Sequence, residues 1–194
     1  DRPVAMVGEC YVVIVMGVSG SGKSSVGEEL GKAWRAEFED GDDWHSKENI
    51  EKMRKGTALN DTDRQAWLMA LASLAKRNVE AKSRVVIACS ALKKKYRDIL
   101  RGDLKPSSVR FVFLDGTFQT ISERLMERKS HFFKPGMLKS QFEALERPCP
   151  SETDVSVVPI TLDIPTICNY VLKIINASTS SNATVHTTSH RSKL

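Results

Sequence analysis

The residues best suited to chemistry are Gly17-Val18-Ser19-Gly20-Ser21-Gly22-Lys23-Ser24, which fit the spacing G-x-x-x-x-G-K-[ST]. Glycines at these intervals let a backbone turn tightly and bring its N–H groups close to a polyphosphate. A helix starting directly after the loop adds the positive end of its dipole. Lys23 reaches the β- and γ-phosphates of a nucleoside triphosphate, and the Ser24 hydroxyl is an oxygen ligand for Mg²⁺. The run from Gly17 to Ser25 is therefore the expected site for ATP, with Lys23 acting on the transferred group as well.

A second cluster is Asp40-Gly41-Asp42-Asp43. Carboxylates at a strand end beside a phosphate loop hold Mg²⁺ through its waters and take the proton of an attacking hydroxyl. Asp40 is placed on the metal side and Asp42 as the base, with Asp43 interchangeable with Asp42 because spacing alone does not separate them. His45 follows as a candidate substrate contact. Ser90 stands after the apolar run ending at Cys89, where its hydroxyl suits the positioning of a substrate alcohol. Lys93 and Arg97 are spaced i, i+4 on one helix face and suit an anionic substrate. Arg124 and Arg128 also share a face, ahead of Lys129, His131, two phenylalanines and a Pro-Gly break. Mobile arginines there would stabilise charge on a phosphoryl group in transfer, and closure of such a segment would exclude water.

These side chains need a scaffold that brings them to one place. Tyr11–Met16 reads as a buried strand and Lys23–Arg35 as an amphipathic helix. A short strand over Ala36–Glu39 leads into the acidic cluster. Ser46 reads as the N-cap of the next helix, Gly56 as its stop, and the segment from Asn60 opens a long helix with Trp67, Leu71 and Leu74 as its core stripe. Arg84–Cys89, Val109–Leu114 and Val155–Leu162 read as further strands. Helices are expected over Lys93–Arg101, Phe118–Arg128, Met137–Glu146 and from Pro165 to about Asn176. Alternating strands and helices imply an α/β fold, a parallel sheet sandwiched by helices, with sites at the carboxyl ends of its strands.

The sequence has 194 residues with 41% hydrophobic and 27% charged content, which suits one globular domain. Residues 1–10 read as a leader, 11–176 as the kinase domain with a mobile lid at about 124–140, and 177–194 as a disordered tail. No run is apolar for long enough to suggest a membrane span. The four scattered cysteines argue for a reducing compartment, and Cys89 reads as a core residue. A net charge of +5 without interleaved aromatic residues fits anionic small molecules better than nucleic acid. His186 and His190 lack the partners a zinc site needs. Ser192-Lys193-Leu194 matches the peroxisomal address S-K-L, so an import receptor is an expected partner and a peroxisome or glycosome the expected location.

Together these residues resemble the gluconokinase family, small P-loop kinases related in fold to shikimate and adenylate kinases. The matching stretches are GVSGSGKS (17–24), DGDDWH (40–45), NIEKM (49–53), LNDTDRQAWL (59–68), CSALKKKYRDILR (89–101), HFFKPGMLKSQFEALE (131–146) and ETDV (152–155). Ser46 and Ala58 stand where many members have proline. The resemblance implies a P-loop NTPase fold with a helical lid, a Mg²⁺ requirement and a homodimer. It also implies transfer of the ATP γ-phosphate to the 6-hydroxyl of D-gluconate. For that acceptor, Lys93, Arg97 and His131 are the candidate sugar-acid contacts. The competing expectations are a related kinase with another small acceptor, such as shikimate, and a nucleotide-dependent binding module.

Overall fold

The computed structural model describes residues 9–127 and 135–180. The elements run β1 (Val12–Met16), α1 (Lys23–Trp34), β2 (Glu37–Asp40), a 3-10 turn (Gly41–Trp44), α2 (Lys47–Arg54), α3 (Asp61–Ala81), β3 (Val85–Ala88), α4 (Lys94–Arg101), β4 (Val109–Asp115), α5 (Phe118–Glu127), α6 (Pro135–Ala144), β5 (Val155–Pro159) and α7 (Ile164–Ser180). All five strands are parallel, in the order β2-β3-β1-β4-β5.

All five residues of β1 are buried, because both faces of the sheet are covered. Val13 and Val15 pack with Val26 and Leu30 of α1 and with Ile167 and Val171 of α7. Val12, Ile14 and Met16 pack on the other face with Leu68 and Leu71 of α3 and Leu100 of α4. The two-residue alternation of a strand thus feeds two separate half-cores.

Local signals set the helix starts. The Ser46 side chain accepts from Asn49 N–H, so serine supplies the expected N-cap. Asn60 and Asp63 form a reciprocal capping box at the start of α3.

Several expected boundaries shift. Cys10 is buried in the core and Glu9 pairs with Arg84 at 3.1 Å, so the end of the expected leader belongs to the fold. Helix α7 continues past Asn176 to Ser180, so the expected tail begins inside a helix. β5 stops at Pro159, where Leu162 N–H folds back onto the Pro159 carbonyl. Leu125 and Leu138 are buried, so both flanks of the expected lid are core elements. Arg128, Lys129 and His131 lie outside the described residues, as do His186, His190 and Ser192-Lys193-Leu194.

Candidate active site

The phosphate loop follows β1 directly. Gly17 N–H donates to the Ser90 carbonyl at 3.3 Å, which ties the start of the loop to the end of β3. Gly20 has φ +80, and a Cβ there would lie 2.6 Å from Leu125 Cγ of α5, so glycine is required on both counts. Lys23 Nζ folds back to donate to the Val18 carbonyl at 3.1 Å. Removal from water pushes the Lys23 ammonium below the ordinary lysine range, and the carboxylates of Asp42 and Asp40 pull it partly back.

The acidic turn is held against the sheet by close approach. A Cβ on Gly41 would stand 2.4 Å from the Ala88 carbonyl oxygen, so only glycine lets the chain pass there. Trp67 Nε1 donates to the Gly41 carbonyl at 2.6 Å, which gives that core residue a second role. Asp40 Oδ1 accepts from Asp42 N–H at 3.1 Å, and its Oδ2 accepts from the Ser24 hydroxyl at 2.7 Å. The two residues expected on the metal side therefore touch. Among the described residues no group of three or more His, Cys, Asp or Glu is arranged to hold a metal. A hydroxyl and a carboxylate beside a phosphate loop fit Mg²⁺, which keeps waters and takes its remaining ligands from substrate phosphates.

Lys23, Asp42, His45 and Ser90 line one cavity of about 150 Å³. Of the two candidate bases, Asp42 lines this cavity and Asp43 does not. His45 stacks on Trp67 with ring centroids 4.2 Å apart, and its buried Nδ1 has no partner among the described residues. Burial pushes the His45 imidazole below its ordinary pKa, with Asp42 opposing and Arg64 reinforcing the shift.

Arg64 is a cavity residue that the sequence reading missed. It lines this cavity and an adjoining one of about 280 Å³. Its Nε donates to the Leu59 carbonyl at 3.4 Å, and its guanidinium carbon lies 6.0 Å from the centroids of the Trp67 and Tyr96 rings. No hydrogen bond fixes its terminal nitrogens among the described residues. A signal was present, since Arg64 sits one helical turn before Trp67 and Leu68 on the buried stripe of α3.

Three expected roles change. Arg97 is not available to a substrate: it is 0% exposed and forms a bidentate pair with Glu152, 2.7 Å at both Nε and Nη2. Its Nη1 donates to the carbonyls of Ala91, Leu92 and Glu146. Lys93 precedes α4 as its N-cap with extended backbone, so it does not share a helix face with Arg97. Lys93 lies in the adjoining cavity and pairs with Asp61 at 2.8 Å. Asp61 also accepts from Lys95 and Tyr96, and these donors hold its carboxyl well below the usual carboxylate range. Arg124 donates to the Ile160 carbonyl beyond β5 at 2.5 Å, so its guanidinium ties α5 to the segment after the last strand. Arg128 and His131 fall outside the described residues.

Another groove, of about 790 Å³, lies between α3 and α4 at the other end of the sheet, where Ser108 precedes β4. It gathers none of the residues above.

Comparison with known proteins bears on the family and the fold. The family model for shikimate kinase matches residues 19–176. The chain is 45% identical over 165 residues to the thermoresistant gluconokinase of Escherichia coli (strain K12), covering 85% of this chain and 93% of that one. It is 44% identical over 177 residues to the gluconokinase of Arabidopsis thaliana, covering 84% and 92% respectively. Among solved structures, a gluconokinase from Sinorhizobium meliloti 1021 superposes with a TM-score of 0.76 at 38% identity, covering 90% of this chain and 95% of that one.

Proposed function

This chain belongs to the gluconokinase family within the shikimate kinase-like P-loop kinases, and we infer from that membership and the site that it phosphorylates D-gluconate to 6-phospho-D-gluconate. The observation that carries the inference is one cavity shared by Lys23 of the phosphate loop, Asp42 of the acidic turn and Arg64 of α3. A cation for phosphate, a base for a hydroxyl and a cation for a carboxylate meet there, as phosphorylation of a hydroxy acid requires.

In this reading the loop amides and Lys23 cradle the terminal phosphates of ATP. Asp42 orients the 6-hydroxyl and takes its proton, and Ser90 steadies the acceptor. Arg64 receives the sugar-acid carboxylate, the role that Arg97 cannot fill. His45, held neutral by burial, offers Nδ1 to a hydroxyl of the polyol. Ser24 and Asp40 would hold Mg²⁺, which when bound neutralises charge developing on the phosphates. Because phosphoryl transfer has a loose transition state, placement and charge outweigh base strength.

An ADP-release assay over a panel of acceptors tests this. ADP formation is expected with gluconate, and selective formation with shikimate or a nucleoside monophosphate would replace gluconate as the acceptor. A homodimer, supported by the family resemblance, is tested by light scattering on the purified protein. Peroxisomal import, supported by the tripeptide at 192–194 alone, is tested by removing it from a fluorescent fusion.

A further inference from the structure

Gln141 of α6 reaches into the phosphate loop: its Oε1 accepts from Ser19 N–H at 2.6 Å. The chemistry fixes which end of the amide faces the loop, because a backbone N–H needs an acceptor. Ser19 and Lys23 line the same cavity as Asp42 and Ser90, and Lys23 Nζ rests on the neighbouring Val18 carbonyl. Ser19 N–H is therefore the loop amide on the acceptor side, where the terminal phosphoryl group of the nucleotide belongs. A phosphoryl oxygen and the Gln141 carbonyl oxygen are both acceptors and cannot share that donor.

The helix that carries Gln141 is anchored independently. Leu138 is buried, Phe142 packs edge-on against Phe118 at 5.4 Å, and Glu146 N–H donates to the Leu92 carbonyl at 2.9 Å. The Glu146 carboxylate in turn accepts from Lys94 N–H at 2.7 Å. Met137, Ser140 and Gln141 form the face of α6 turned to the cavity. The Gln141 amide can therefore change partners by side-chain rotation alone, since its terminal torsion is broad and two-fold.

We propose that Gln141 senses the terminal phosphoryl group: its carbonyl caps Ser19 N–H when no nucleotide is bound, and its Nε2 turns to donate to the γ-phosphoryl oxygens when ATP is bound. ADP, which lacks that group, displaces the carbonyl less and receives no donor in return. Gln141 thereby sets the preference for triphosphate over diphosphate. This rests on the ATP-site reading above.

The test is calorimetric binding of ADP and of a β,γ-imido ATP analogue to the full chain and to Q141A and Q141E, with melting curves for each. One hydrogen bond to a charged group corresponds to about a tenfold change or somewhat more. Q141A is expected to lose about tenfold in affinity for the analogue while ADP affinity holds or rises. Q141E, able only to accept, is expected to lose more. Equal losses for both ligands would make Gln141 merely structural, and no change for either would make the contact idle; each overturns the proposal. Failure of the unaltered chain to bind either nucleotide would overturn the ATP-site reading and this inference with it, whereas ADP binding with an unaltered ratio in Q141A and Q141E overturns this inference alone.

Discussion

The Ser24 hydroxyl donates to Asp40 Oδ2 at 2.7 Å, joining the first turn of α1 to the last residue of β2. Two residues from different motifs thus present oxygens to one point beside the phosphate loop. D40N keeps the shape and removes the charge. It is expected to raise the Mg²⁺ concentration for half-maximal activity by about 10- to 100-fold, the range for loss of a metal-supporting partner. A Mg²⁺ titration at saturating ATP and gluconate checks this, and an unchanged midpoint would move Asp40 off the metal side.

Lys23 is the only strong cation that the loop itself supplies to the cavity. K23A is expected to lower turnover by about 10³-fold, as for removal of a group that meets charge in the transition state. The melting temperature should change little, since among the described residues Lys23 bonds only the Val18 carbonyl of its own loop. Near-normal turnover in a folded variant would contradict the assignment.

Arg64 is assigned to the carboxylate of the acceptor. R64A is expected to raise the gluconate KM by about 10- to 100-fold and leave the ATP KM nearly unchanged. R64K should restore only part of the loss, because an ammonium cannot bond a carboxylate with a planar fork. Equal effects on both substrates would indicate a packing role against Trp67 and Tyr96 instead.

The Arg97–Glu152 pair is structural, and its signature is acid sensitivity. Its bonds to Arg97 hold the Glu152 carboxyl down at about 2, from an ordinary 4.5. A depressed folded-state pKa gives stability that is fully present above about 4.5 and is lost as pH falls toward about 2. E152Q should remove that acid limb from denaturant unfolding curves. Leaving Arg97 buried without its counter-charge should cost about 3–5 kcal/mol at neutral pH. At a temperature where the variant stays folded, its gluconate KM should not change; a large rise would return Arg97 to the substrate site.

Cys89 lies beside the phosphate loop yet is inert. Burial pushes its thiol up to about 12. C89A is expected to keep turnover within about twofold, because the thiolate needed for chemistry is absent at neutral pH. Loss of turnover in C89A without loss of fold would overturn this.

The short-range features were legible in the sequence because their causes are short-range. The phosphate loop follows from glycine spacing, the caps at Ser46 and Asn60 from side chains that reach their own backbone, and β1 and β3 from unbroken β-branched runs. The convergence of Lys23, Asp42, His45 and Ser90 follows from the parallel sheet, because each stands beyond a strand whose carboxyl end shares one edge.

The partners of long cationic side chains were not legible. Arg97 spaced i, i+4 from Lys93 looks like half of a surface clamp until Glu152, 55 residues on, arrives above α4 and takes it into the interior. Lys93 is likewise held by Asp61, 32 residues before it, while Arg64 on a core-facing stripe keeps its terminal nitrogens for the cavity. By itself the sequence determined the fold class, the phosphate loop and the acidic turn. Only the tertiary structure decided which cation faces the cavity. A guanidinium's neighbours are chosen by the packing of distant segments, and one buried carboxylate is enough to turn a binding arginine into a structural one.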